Sequence, residues 1–311
     1  MFDIQSFYEA KTVDDAIMAL NADSNSEVIS GGTDVLIRVR EGRDAGKSLV
    51  SIHNIEELKG IEMEEDGTIV IKPATSFSHI TNHPIIKQYL PMLGEAVDQV
   101  GGPQIRNTAT LGGNICNGAT SADSASTMCT LNAMVVLKGA RGVREIPVTE
   151  FYTGPGKTVR KQNEVCIAFK IPKEEYENVH GVYLKYGKRK SMEIATLGCA
   201  VRIQLEEDKE TIKKARLGYG VAAPTPIRCY QAEKEIEGKK ISDPALYDVF
   251  AKNALLEVNP RSSWRSSKEF RLQLIEELAR RGLKKAILLA GGDANCNPFA
   301  PMLPEEYEQT K

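Results

Sequence analysis

No two of the six cysteines fall in a CxxC pair. Cys116, Cys129, Cys166, Cys199, Cys229 and Cys296 are separated by 13 to 67 residues, which fits neither zinc nor iron–sulfur spacing. In a chain this large they read as isolated thiols, each a small buried apolar group, in a reducing cytoplasm. The sequence also lacks any apolar run approaching about 18 residues, so no membrane span is expected. Met1-Phe2-Asp3-Ile4-Gln5 carries neither the basic nor the apolar region of a signal peptide. An excess of one charge is missing too. The 40 Lys and Arg stand against 42 Asp and Glu, which is no footprint for a nucleic-acid binder. No internal repeat occurs.

What is there is ordinary globular material. With 41% apolar and 26% charged residues, whole-chain disorder, collagen and coiled coil are excluded. A length of 311 residues suggests about two domains. Thr12 is placed to cap a helix, with Asp14 and Asp15 at its positive end and Ala16, Ile17 and Leu20 as its apolar stripe. Glu27 to Ser30 and Thr68 to Lys72 read as strands, and a helix fits about Pro91 to Val100. Gly101 to Ser126 reads as an ordered loop leading into a helix around Ser124 to Ala133. The polar, Pro-led segment 172–178 marks a domain boundary. Strands follow over Val182–Tyr186, Ala195–Leu205 and Lys214–Val221. Ser266-Ser267-Lys268-Glu269 is a capping box ahead of Phe270, Leu274, Ile275, Leu278 and Ala279. The tail from Asn295, with three Pro, is either loose or docked.

Two glycine-rich stretches carry the chemistry. In Val28-Ile29-Ser30-Gly31-Gly32-Thr33-Asp34, paired glycines let several backbone N–H groups converge. Such a nest binds phosphate or pyrophosphate without a basic side chain, and Thr33 adds a hydroxyl. An ordinary tight turn is the competing reading. Thr110-Leu111-Gly112-Gly113-Asn114, followed by Ser121 and Asp123, repeats the pattern. Here the competing reading is that Asp123 or Ser124 merely caps a helix. Two such nests in one domain point to an extended polyphosphate ligand.

Other signals fail. Gly218-Tyr219-Gly220-Val221-Ala222-Ala223 matches a dinucleotide fingerprint, but Pro224 and Pro226 forbid the helix it must open. Gly156-Lys157-Thr158 lacks the leading glycine of a phosphate loop, since Phe151 stands there. His79 and His83 have no HExxH glutamate, and no GxSxG elbow occurs. The basic run from Lys185 to Lys190 reads as a solvated face, with contact to phosphate or an acidic partner as the alternative.

Taken in order, Gly31-Gly32-Thr33-Asp34, Gly102-Pro-Gln-Ile-Arg-Asn107, Ala109-Thr-Leu-Gly-Gly-Asn114 and Cys116-Asn-Gly-Ala-Thr-Ser-Ala-Asp123 resemble the FAD-binding subunits of the molybdenum hydroxylases. Tyr152-Thr-Gly-Pro-Gly-Lys157, Gly220-Val-Ala-Ala-Pro-Thr-Pro-Ile-Arg228 and Pro260-Arg-Ser-Ser-Trp-Arg-Ser-Ser-Lys-Glu-Phe-Arg271 are most like the bacterial xanthine dehydrogenase branch. The resemblance runs from about Met1 to Gly292 and implies an α+β fold. It implies a vanillyl-alcohol-oxidase-type (PCMH-like) FAD domain over 1–174, with subdomains about 1–55 and 56–174. A C-terminal domain of antiparallel sheet and helices over 175–292, of the carbon monoxide dehydrogenase flavoprotein type, and a tail over 293–311 follow. Glu27, Val28, Ile29, Ser30, Gly31, Gly32, Thr33 and Asp34 fall where the family holds the FAD pyrophosphate. Thr110, Leu111, Gly112, Gly113 and Asn114, with Ser121 and Asp123, fall on its other side and the ribityl chain. Val165 falls near the adenine or ring, and Lys185 at a lysine close to FAD.

The implied role is electron transfer from a partner [2Fe–2S] subunit through FAD to NAD+, while a molybdopterin-binding large subunit hydroxylates hypoxanthine or xanthine. No side chain is expected to act as a nucleophile, and no metal site is expected here. The partners imply a heterotrimer that can dimerise. The alternatives are a hydroxylase acting on nicotinate, another N-heterocycle or an aldehyde, and a scaffold chain that has lost FAD.

Overall fold

Thr12 caps the first helix, its hydroxyl oxygen accepting from the Asp15 N–H at 3.1 Å, and Val13, Ala16, Ile17 and Leu20 of Val13–Ala22 turn inward. This computed structural model describes residues 2–309, with side chains as far as residue 306. The chain divides into two compact units, residues 1–119 with 132–173, and residues 120–131 with 174–311.

The first unit holds two sheets. β1 (Ile4–Glu9), β2 (Ser26–Ile29) and β3 (Lys47–Ser51) form a parallel sheet in the order β1-β3-β2. Parallel strands need crossovers, and the helices Val13–Ala22 and Val35–Arg40 lie in the two connections. β4 (Ile61–Met63), β5 (Ile69–Ile71), β6 (Met134–Gly139) and β7 (Gly142–Pro147) belong to an antiparallel sheet. A hairpin of β8 (Tyr152–Gly154) and β9 (Lys157–Thr158) contains the Gly156-Lys157-Thr158 run. β10 (Val165–Ile171) then completes that sheet in the order β4-β5-β10-β6-β7.

Gly101 to Ser126 is not the loop its composition suggests. It contains the helices Pro103–Thr108, Leu111–Cys116 and the start of Asp123–Thr130. The first two are six residues each, too short to show helical periodicity. Isolated helices of that length are not stable. Leu111 and Ile115, both fully buried, hold the second in place through tertiary packing.

The second unit is built on an antiparallel sheet of β11 (His180–Tyr186), β12 (Leu197–Leu205), β13 (Ile212–Gly220) and β14 (Ile227–Arg228). Side chains alternate between its faces. On one face the long helix Lys268–Leu289 packs, with Tyr219 donating to the Ile275 carbonyl at 2.8 Å and Val201 meeting Gly282. On the other face lies Asp123–Thr130, all eight of whose residues are buried. Gly218 and Gly220 make that approach possible. A Cβ on Gly218 would stand 2.8 Å from the Ser126 carbonyl oxygen, and one on Gly220 would stand 3.1 Å from that of Thr120. The G-x-G of β13 is therefore a seat for a helix, in keeping with its rejection as a dinucleotide site.

The long helix is capped by Ser267, whose hydroxyl oxygen accepts from the Phe270 N–H at 3.2 Å. Phe270 itself is exposed, outside the core that Leu274, Ile275, Leu278 and Ala279 enter. The tail is docked. Asn297 is buried and donates to the carbonyls of Ile241 and Asp243, and Lys284 binds Glu306 at 2.8 Å. Cys129, Cys166, Cys199 and Cys229 are buried, Cys116 is partly exposed and Cys296 is exposed.

Candidate functional site

In the first unit β2 ends at Ile29, whose carbonyl accepts from the Ile52 N–H at 2.9 Å. The chain then turns through Gly31 and Gly32 before the helix Val35–Arg40 begins. Gly32 has φ +73°, the left-handed region that favours glycine. Gly31 is needed for a different reason, since a Cβ there would lie 1.9 Å from the Thr108 carbonyl oxygen. Among the described residues, the N–H groups of Gly31, Gly32 and Thr33 donate to no protein acceptor. Asp34 is exposed and makes no side-chain cap to the helix it precedes.

The second glycine stretch meets the first. Gly31 packs on the Thr108–Ala109 backbone, and the Thr110 and Ser30 hydroxyls lie 3.5 Å apart. The two stretches are nevertheless unlike. The Thr110 hydroxyl oxygen accepts from the Gly113 N–H at 3.1 Å and caps the helix Leu111–Cys116. Leu111 and Gly112 donate to the carbonyls of Thr75 and Pro73, and Asn114 donates to that of Thr110. The first stretch presents free donors, whereas the second uses its own to hold a helix end.

The flanking residues have structural partners. Glu27 binds Lys47 at 2.9 Å, with Arg38 at 3.6 Å and Arg160 at 3.9 Å. Ile29 is buried, Val28 is partly so, and Val165 sits in the core formed with Ala10, Leu20 and Val50.

In the second unit Asp123 opens its helix as the first helical residue. The cap position belongs to Ala122, which makes no side-chain bond, so neither Asp123 nor Ser124 caps it. Asp123 Oδ2 accepts from Lys185 Nζ at 2.8 Å and Oδ1 accepts from the Tyr183 hydroxyl at 2.6 Å. Burial pushes the Asp123 carboxyl above its usual range, although Lys185 and Tyr183 pull the other way. Burial and the neighbouring carboxylate push the Tyr183 hydroxyl well up. Arg202 donates to the Thr130 carbonyl at the far end, so a carboxylate and a cation stand at the ends of the helix that suit them. Ser121 is partly exposed beside Asp123 in the chain. Sequence reasoning missed Tyr183 and Gly198. The first lies two residues before Lys185, on the same strand face. The second pairs with Lys185 across β11 and β12, and its missing Cβ would stand 2.6 Å from the Tyr183 hydroxyl.

Two family models match the chain. The FAD binding domain in molybdopterin dehydrogenase matches residues 2–174, and the CO dehydrogenase flavoprotein C-terminal domain matches residues 182–286. The xanthine dehydrogenase FAD-binding subunit of Escherichia coli O157:H7 is 42% identical over 94% of this chain and 99% of its own length. The nicotinate dehydrogenase FAD-subunit of Eubacterium barkeri is 31% identical over 76% of this chain and 80% of its own. Among solved structures, a carbon monoxide dehydrogenase chain from Hydrogenophaga pseudoflava superposes with a TM-score of 0.87 at 26% identity, covering 93% of this chain and 99% of that one. The chain thus belongs to the FAD-binding medium-chain subunits of the molybdenum hydroxylases, a family of oxidoreductases.

Proposed function

We propose that this chain is the FAD-bearing electron-transfer subunit of a hydroxylase complex acting on hypoxanthine or xanthine. Electrons reach it from a partner [2Fe–2S] subunit and leave to NAD+, and a molybdopterin-binding subunit completes the assembly. The observation that carries the substrate choice is the 42% identity, nearly end to end, with a xanthine dehydrogenase FAD-binding subunit. The match to a nicotinate dehydrogenase FAD-subunit, at 31%, keeps an N-heterocycle such as nicotinate as the second reading.

The residues fit FAD. Three unpartnered backbone N–H groups in one turn suit the oxygens of a diphosphate. Gly31, Gly32 and Thr33 hold that diphosphate, with Ser30, Thr110 and Asn114 as side-chain donors beside it. The N–H groups of Leu111 to Asn114 serve by fixing their helix. Asp123 and Lys185 form a second contact set, kept in register by Tyr183. Glu27, Val28, Ile29 and Val165 act mainly as the frame, because their side chains are already engaged. When bound, FAD supplies the exchange between one-electron and two-electron transfer.

The test is to purify the natural complex and assay it with NAD+. Turnover of hypoxanthine or xanthine, with flavin absorbance bands in the preparation, is expected. Turnover of nicotinate but of neither purine would replace the substrate assignment with the second reading. A colourless chain that cannot be reconstituted with FAD would remove both.

A further inference from the structure

The chain has a single tryptophan, and the fold puts it outside. Trp264 is 80% exposed, more than any other large apolar side chain among the described residues. A singly exposed apolar residue is common and means nothing by itself. Here the surroundings hold the ring out. Ser263 and Ser266 pair as a one-rung hairpin, each N–H donating to the other's carbonyl, at 2.9 and 3.2 Å. Trp264 and Arg265 are the two residues at its tip. The Ser263 hydroxyl oxygen accepts from the Arg265 N–H at 3.3 Å, and that of Ser262 from the Lys268 N–H at 2.9 Å. At the base, the buried Arg271 donates to the Arg261 carbonyl, to the Ser263 hydroxyl at 2.9 Å and to the Thr196 carbonyl at 3.2 Å. A guanidinium is costly to bury, and these bonds of Arg271 fix this turn.

We propose that the Trp264–Arg265 tip is an anchor that inserts into an acid-rimmed pocket on another subunit of the complex. The proposal rests on the reading of this chain as one subunit of a larger assembly. Trp and Arg are the side chains that dominate the centres of protein interfaces. The Arg265 guanidinium lies over the Trp264 ring, 4.3 Å from its centroid, so the tip offers an aromatic plate that carries a positive charge. A tip already fixed loses little freedom on docking. Phe270 and Tyr186, in edge contact with ring centroids 5.6 Å apart and both over a third exposed, extend the apolar surface from the base of the hairpin.

Charge selects the partner. Residues 261–268 contain Arg261, Arg265 and Lys268 and no carboxylate, Glu269 being the first to follow. Among the described residues none of these three cations forms an ion pair. Carboxylates on the facing surface complement them, speed the encounter and reject basic partners.

The experiment purifies the complex from its native host through a tag on the full-length chain, beside the same chain alone. Both are exposed to hydroxyl radicals, and oxidation of the one tryptophan-bearing peptide is read by mass spectrometry. Trp264 should be oxidised rapidly in the free chain and at least about tenfold more slowly in the complex. Carbodiimide, which joins amines to carboxylates in contact, should link Lys268 to an Asp or Glu of another subunit. Trp264→Ala should leave the melting temperature of the free chain unchanged and weaken retention of its partners about thirtyfold or more. Arg265→Glu should weaken it as well, and retention by the wild type should fall as salt rises. Equal oxidation of Trp264 in the complex and the free chain overturns the proposal. So does protection of the free chain by NAD+ alone, which would make the tip a dinucleotide site, or by raising its own concentration, which would make it a contact between copies. A wild-type chain that retains no other subunit also overturns it. A complex that shields Trp264 but turns over neither purine removes the substrate assignment and leaves the anchor. Purine turnover with Trp264 unshielded does the reverse.

Discussion

Two glycines that adjoin in the chain carry different constraints, and substitution separates them. At Gly31 an added methyl would meet the Thr108 carbonyl oxygen at 1.9 Å. Backbone cannot yield as a flexible side chain does, so Gly31→Ala should cost several kcal/mol, about 2–4, as overpacked sites do. At Gly32 the nearest atoms are side-chain carbons of Leu36 and Ile29 at 3.2 and 3.3 Å. Gly32→Ala therefore meets mainly the left-handed φ, at about 1–2 kcal/mol. Thermal melts should show Gly31→Ala far below Gly32→Ala. In the folded Gly32→Ala protein the ratio of flavin to protein absorbance should fall, since the turn that gathers three N–H donors is disturbed. Wild-type flavin content in that variant argues against the turn as the diphosphate seat.

In the second unit the Asp123–Lys185 pair has both side chains less than a tenth exposed. Removing one partner of a buried pair costs about 3–5 kcal/mol, so Lys185→Met should destabilise the protein by that order. The pH dependence has a definite sign. The Asp123 carboxyl is already raised in the folded state, and loss of Lys185 removes a group that lowers it. The folded variant then binds a proton more tightly than the unfolded chain does, so its stability rises as pH falls from neutrality through the raised value. Urea midpoints across that range measure the effect. A midpoint that instead drops with acid would show that Asp123 is not the group involved. Tyr183 was out of reach of sequence patterns, because its partner Asp123 is 60 residues away and no motif links them.

At the scale of elements, the tail is held by charge. Lys284, almost fully buried, binds both carboxylate oxygens of Glu306, and Lys285 binds Glu305. Lys284 holds the Glu306 carboxyl below its ordinary range, as Lys285 does for Glu305. A lowered carboxyl contributes stability that is present above its unfolded value and lost as pH falls through the folded one. Limited proteolysis should thus leave the segment after Pro304 intact at neutral pH and clip it once the pH falls through the lowered carboxyl range of Glu306. Glu306→Gln should be clipped at neutral pH, and equal resistance in the two proteins would exclude the clamp.

Elements with long periodic patterns could be read before the structure. The Thr12-capped helix, the strands β12 and β13 and the stripe of Leu274, Ile275, Leu278 and Ala279 were legible from capping residues and apolar patterning. The helices Pro103–Thr108 and Leu111–Cys116 could not, because six residues are under two turns and glycine, threonine and asparagine favour no helix. Both glycine stretches were visible as motifs. Which of the two keeps its N–H groups free was not, since Thr75 and Pro73 approach Leu111 and Gly112 only in the folded chain.

For the whole molecule, the path of the chain matters more than its length. The backbone passes between the two units three times, near residues 119, 131 and 173. Neither unit is one continuous segment. A fragment of residues 174–311 would lack Asp123–Thr130, whose eight buried residues cover one face of the sheet. That fragment should aggregate or fold only partly, losing near-ultraviolet circular dichroism while keeping helical far-ultraviolet signal. A cooperative melt of the isolated fragment would show that the helix is dispensable.

The same detour sets an order on synthesis. The segment that forms Asp123–Thr130 leaves the ribosome about 90 residues before Gly220 completes β13, which at about 5–20 residues per second is roughly 5–20 seconds. Throughout that interval Ala125, Met128 and Cys129, fully buried at the end, have no sheet to lie on. A nascent chain waiting with an apolar face uncovered is a substrate for holdase chaperones, so expression should be more sensitive to their supply than the stability of the finished protein suggests.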